Sequence, residues 1–193
     1  MITQQELETE NQALRAQIDS MKTAAEEQMA NMASLYIAVN SLHAALDRTS
    51  VLASVQDVVT TLIGSEEMAI FETDPDHRRL KLLASQGIEP GHYQEVHLGE
   101  GLIGKAAITG EAVIRPEGGA AEAAGDEAIT ACIPMKIGQR VLGVIAVFRL
   151  LPHKGGLNAV DLDLLDLLST HAAIALLFTR LYGEMDHPVG VPL

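Results

Sequence analysis

From Leu7 to Leu46 the chain keeps one unbroken heptad register with a mainly apolar seam, and this period commits the stretch to a helix lying along another helix. Position a falls on Asn11, Ile18, Ala25, Met32, Val39 and Leu46. Position d falls on Leu7, Leu14, Met21, Gln28, Leu35 and Leu42. Ten of these twelve positions are apolar, whereas the other faces of residues 7–21 are almost wholly polar, so a single domain cannot account for the seam. Leucine at d, with Ile, Val and one Asn at a, favours a parallel two-stranded coil. Glu10 at g and Arg15 at e attract each other across such a pair. The expectation is a homodimer.

The rest of the chain reads as one domain. Of 193 residues, 48% are hydrophobic and 20% charged, which is globular and leaves room for one domain beside the coil. Thirteen basic against 26 acidic residues give a formal charge of −13, which excludes nucleic acid and anionic membranes as natural partners. The longest unbroken apolar run, Ala172 to Phe178, is too short for a bilayer. An N-terminus of Met-Ile-Thr-Gln-Gln-Glu has neither the basic nor the apolar region of a signal peptide, so a cytoplasmic chain is expected. A lone cysteine, Cys132, excludes an internal disulfide and a multi-thiolate zinc site. The seven histidines are scattered singly, so no metal is expected. No nucleophile–base pairing or phosphate loop stands out, and a non-catalytic chain is expected.

Periodicity then places the elements. Leu52, Val55, Val58, Val59 and Leu62 recur at helical spacing over 51–63, and Gly64 ends that helix. Residues 68–73 and 80–85 flank an Asp-Pro-Asp turn as a hairpin, and an extended piece runs from Tyr93 to Leu98. A short helix over 101–109 stops at Gly110, and a brief strand covers 112–114. Residues 117–126, rich in Gly and Ala, read as a mobile loop. Two strong strands, 129–137 and 141–150, join at Gly138-Gln139, where glycine suits a type II′ turn. A last helix runs from the N-cap Asn158 to Glu184, with Asp161, Asp163 and Asp166 complementing its dipole. It is apolar on more than one face, so one face covers the sheet and another meets a second copy. The expected dimer interface is therefore Leu7, Asn11, Leu14, Ile18, Met21, Met32, Leu35, Val39, Leu42 and Leu46, with Leu164, Leu168 and Ala175 of the last helix. The domains are a coil over 1–33, a globular domain over 34–185 and a disordered tail over 186–193.

This is an α+β order, and its residues resemble a GAF domain. The resemblance rests on Val96-His-Leu-Gly-Glu-Gly-Leu-Ile-Gly-Lys-Ala-Ala-Ile-Thr-Gly-Glu-Ala-Val-Ile114, on the hairpin from Cys132 to Val147, and on Asn158-Ala-Val-Asp-Leu-Asp-Leu-Leu165. It covers roughly residues 34–182. It implies an antiparallel sheet of five or six strands, with the terminal helices on one face, where they also form a dimer bundle. A small-molecule pocket lies on the other face, under the glycine-flanked helix. Members that bind a ligand often contact it through the backbone of the apolar pair between the glycines, here Leu102 and Ile103, with Gly101 and Gly104 permitting close approach. Thr109, Thr130 and Cys132 are the polar candidates beside them. The same glycines can instead serve only to shape a turn, and Cys132 can be a small core residue. Scarce aromatics (three Phe, three Tyr, no Trp) disfavour a purine. Leu157 and Asp161-Leu162 depart from the family's cyclic-nucleotide pattern. Free methionine sulfoxide reductases of the family use more than one cysteine, which this chain lacks. Two functions stay open: a regulator that senses a small molecule or docks a partner protein bearing the output, without a cofactor, or a structural scaffold with a filled pocket.

Overall fold

No glycine or proline occurs before Gly64, and the first helix runs accordingly long. The computed structural model describes residues 4–44, 47–74, 76, 78–115 and 125–185. Helix α1 spans Gln4–Ala44. The chain divides into two compact units, Met1–Ile37 and Ala38–Leu193, a boundary four residues beyond the expected one. Within the first, Leu7, Leu14, Ile18, Met21 and Met32 are all more than half exposed, Asn11 is exposed, and Leu35 is buried. Val39 of the second unit is half-buried. The Leu42 side chain, Leu46, most of the 117–126 loop and the tail fall outside the described residues.

Helix α2, Arg48–Val58, opens on Asp47, whose Oδ1 accepts the Ser50 amide at 2.9 Å while Oδ2 accepts its hydroxyl at 2.6 Å. These bonds hold the Asp47 carboxyl below its usual range. The helix widens into a π turn over Val59–Ile63, closed by the Gly64 amide donating to the Val59 carbonyl, with Gly64 at φ +76°. Val51, Val55, Val58, Val59 and Ile63 are in the core, and Leu52 and Leu62 are half-buried.

Six strands complete the domain with two more helices: β1 Met68–Thr73, β2 Arg79–Gln86, β3 Glu95–His97, β4 Val113–Ile114, β5 Ala131–Ile137 and β6 Arg140–Val147. They form one antiparallel sheet in the order β3-β2-β1-β6-β5-β4. The β5–β6 hairpin turns at Gly138-Gln139 with Gly138 at φ +60°. Central β1 and β6 are buried on both faces, which explains their unbroken apolar runs. Phe71, Leu80, Cys132, Val144, Ala146 and Phe148 cluster with Ile103, Ala106 and Ala107 of helix α3, Gly101–Thr109. Because side chains alternate along a strand, Ile70, Ile133 and Ile145 face the other way. That face is covered by α2 and by helix α4, Ala159–Met185, which packs on β5 and β6.

The orientation of α4 corrects one expectation. Leu164, Leu168 and Ala175, expected in the dimer interface, are 6% exposed or less. They lie on the face that α4 turns to its own domain. The stripe left outside is Leu167, Ile174, Phe178 and Leu181, each between 41% and 51% exposed. Their spacings of seven, four and three are again those of a heptad seam. Residues Ala159–Leu181 are also long and apolar enough, by length and composition, to cross a membrane, although no single apolar run within them is.

Candidate functional site

The glycine-flanked helix shows why its glycines are there. Gly99 has φ +83° and Gly101 φ +58°. A Cβ on Gly104 would lie 2.2 Å from the His97 carbonyl oxygen, so β3 and α3 meet backbone to backbone. The amide of Gly99 donates to the carbonyl of Gly104 at 2.9 Å, which ties the turn to the helix it introduces.

The start of α3 carries free amides that its own N-cap, Glu100, does not bond through its side chain. The bond comes from 24 residues further along the chain. Asp126, in the single 3-10 turn Gly125–Ala128, accepts the Leu102 amide on Oδ2 at 2.9 Å. A Cβ on Gly101 would sit 2.7 and 2.8 Å from the two Asp126 oxygens, so the carboxylate lies directly over the helix end. A carboxylate there is favoured by the aligned peptide dipoles. The backbone group that the resemblance assigns to a ligand is thus engaged by the chain itself.

Beneath α3 lies an apolar cluster. Ile103 is 2% exposed, and Leu102 packs against the same cluster as Cys132. Thr130 is buried, with its amide donating to Val147 at 2.9 Å and its carbonyl accepting from Arg115 at 2.8 Å. Leu102, Ile103 and Cys132 thus share one cluster, with Gly101 and Gly104 in the same helix and Thr130 buried two residues before Cys132. Thr109 does not join them. It is exposed at the far end of α3, where its hydroxyl donates to the Lys105 carbonyl and accepts the Glu111 amide. Asp161 is likewise turned elsewhere, to Lys154 and Asn158.

Burial first, and then the Asp126 carboxylate, push the Cys132 thiol up to about 12. At neutral pH it is a thiol without nucleophilic character. We expect iodoacetamide to leave Cys132 unmodified in the folded chain and to alkylate it in urea. Mass spectrometry reads the result, and rapid native alkylation would mean that the α3 layer opens readily.

The fold also assembles a group that the sequence does not reveal. Tyr93, at the end of the 3-10 turn Pro90–Tyr93, meets Phe148 edge to face, with centroids 5.2 Å apart and planes at 69°. Burial, followed by Asp126, holds the Tyr93 phenol above its ordinary value. Beside the pair, Arg149 binds Glu67 through Nε at 3.1 Å and Nη2 at 2.8 Å. Together with Ile88 and His92 they line a cleft of about 250 Å³. Two of the chain's few aromatic rings thus lie on the face where the resemblance places a ligand, although far apart in sequence. Among the described residues no group of three His, Cys, Asp or Glu could hold a metal.

A family model described as a GAF domain matches residues 45–177. Among solved structures, the GAF domain of an Acinetobacter phosphoenolpyruvate-protein phosphotransferase superposes with a TM-score of 0.66 at 19% identity. The match covers 80% of this chain and 98% of that one. The corresponding domain from Coxiella burnetii gives 0.67 at 20%, covering 81% and 98%. A free methionine-R-sulfoxide reductase from Neisseria meningitidis, in complex with its substrate, gives 0.61 at 16%, covering 81% and 93%. No curated protein matches the sequence.

Proposed function

The chain belongs to the GAF domain family, and from that premise we propose that it is a non-catalytic, dimeric regulatory module whose ligand position is filled from within and whose output passes through a partner protein docked on its helices. The observation that carries this reading is the Asp126 carboxylate on the Leu102 amide, above the apolar α3 cluster. The lone buried Cys132 supports a non-catalytic role. Exposed apolar stripes on α1 and on α4 support a dimer built from helices. A charge of −13 favours a protein partner over nucleic acid or an anionic membrane, and the module as proposed is cytoplasmic and needs no cofactor.

A second reading, a small-molecule sensor, is favoured by the cleft at Tyr93 and Phe148. Its size suits only a small ligand.

Native mass spectrometry of the freshly purified protein distinguishes them. We expect the mass of a dimer with no retained small molecule. We also expect Asp126→Ala to fold but to lose about 0.5–2 kcal/mol, as removal of a helix cap does. A stoichiometric retained metabolite would overturn the filled site and put the sensor first. A monomer mass would overturn the dimer.

A further inference from the structure

Sulfur is unevenly placed in this chain. Met21, Met29 and Met32 of α1 are 65%, 73% and 62% exposed. Met68 and Met135, the other methionines whose side chains the structure describes, lie in the domain core at 0% and 1%. Cys132 is buried and, at neutral pH, without nucleophilic character. Among the described side chains, all accessible sulfur therefore sits on α1 between residues 21 and 32, along about 16 Å of helix.

The same stretch is the thinnest part of the heptad seam. Leu7, Leu14 and Ile18 precede it, and Leu35, Val39, Leu42 and Leu46 follow it. Between them the seam positions are Met21, Ala25, Gln28 and Met32, with no branched aliphatic side chain. Alanine buries little area, glutamine brings an amide into an apolar seam, and methionine packs adaptably rather than specifically. The helix itself is not weak here. Ala, Glu, Lys, Met and Gln are good helix formers, and the Lys22 ammonium lies 3.9 Å from the Glu26 carboxylate one turn on. A strong helix with a thin seam means that pairing, more than helicity, responds to a change in these side chains.

We propose that Met21 and Met32 are oxidation sites at which hydrogen peroxide loosens the coil by turning two apolar seam side chains into sulfoxides. A lone pair on the thioether sulfur attacks one peroxide oxygen and the O–O bond breaks. That oxygen stays on sulfur, and the other leaves as water, so sulfur loses the two electrons that peroxide gains. Access follows from the thin seam, since a segment with few buried apolar contacts opens before the rest. Met29 falls at e, on the flank, and stays accessible when two helices pair. The proposal rests on the dimer reading above, in which each copy contributes both seam methionines.

The test treats the full chain with hydrogen peroxide and follows it by peptide mass spectrometry and by sedimentation at low micromolar concentration. Oxygen is expected first on Met29, then on Met21 and Met32, and last on Met68 and Met135. Oxidation of the seam pair should weaken dimerisation by at least about ten-fold, the loss that a polar group without a partner causes on burial. Met21→Leu combined with Met32→Ile supplies the residues that these seam positions prefer. That variant should dimerise more tightly than the parent and keep its dimer mass after the same treatment. A chain oxidised at both seam methionines that pairs as tightly as before would overturn the proposal. So would a Leu/Ile variant that dissociates on oxidation as readily as the parent, or Met68 and Met135 reacting as fast as Met21 and Met32. A monomer mass before any oxidant is added would overturn the dimer reading itself, and the proposal with it.

Discussion

Asp161→Ala lowers the unfolding free energy by about 3–5 kcal/mol, the loss expected when one partner is removed from a buried ion pair. Asp161 is 4% exposed, and its two oxygens are committed to different tasks. Oδ1 accepts from the Lys154 ammonium at 2.7 Å, and Oδ2 accepts the Asn158 amide at 2.8 Å. Asn158 returns the bond, its Oδ1 accepting the Asp161 amide at 3.0 Å, so the pair forms a reciprocal box at the start of α4. Lys154, with a side chain only 18% exposed, holds the 148–158 connection against this helix. Alanine removes the cap and leaves that ammonium half-desolvated without its anion. Adding Lys154→Met should therefore restore part of the loss, because an apolar side chain has no charge to leave unpaired. Urea unfolding at one fixed protein concentration measures both variants. A loss below about 1 kcal/mol, as for exposed pairs, would mean that Lys154 reaches water and the pair contributes little.

Ile174→Asp combined with Phe178→Asp converts the proposed dimer to a folded monomer. Both side chains are nearly half exposed in the single chain, so charge there costs the domain fold little. In a helix seam the same carboxylates would face their copies without counter-ions, and buried unpaired charge costs several kcal/mol per group. Sedimentation at low micromolar concentration reads the mass, and circular dichroism checks that the helices persist. Leu164→Asp is the contrasting variant: with its side chain inside the domain, it should unfold the protein rather than dissociate it. A double aspartate variant that sediments as a dimer would remove α4 from the interface and leave α1 alone to form it.

Local chemistry makes much of the molecule legible in the sequence alone. The heptad run marks α1, Gly64 and Gly110 end the π turn of α2 and α3, and Asn158 caps α4, because each depends on residues within one or two turns. The β5–β6 hairpin is legible because its turn sits between two apolar runs and sets the register by itself. The spacing of Gly99, Gly101 and Gly104 carries the family resemblance because Gly99 and Gly101 take positive φ and the backbone approach of Gly104 to His97 leaves no room for a side chain. Other features need tertiary structure. In the strand order β3-β2-β1-β6-β5-β4 only β1 and β6 pair across a long stretch of chain, and nothing in either strand names the other. Asp126 finds Leu102, Tyr93 finds Phe148, and Arg48 finds Glu72 only once the sheet has brought their elements together. On α4 the sequence shows two apolar faces but not which one turns inward, since Leu164 and Leu167 obey the same helical period. The sheet decides that by burying Leu164, Leu168 and Ala175, because a helix rotates to put its best-fitting face against the surface it covers.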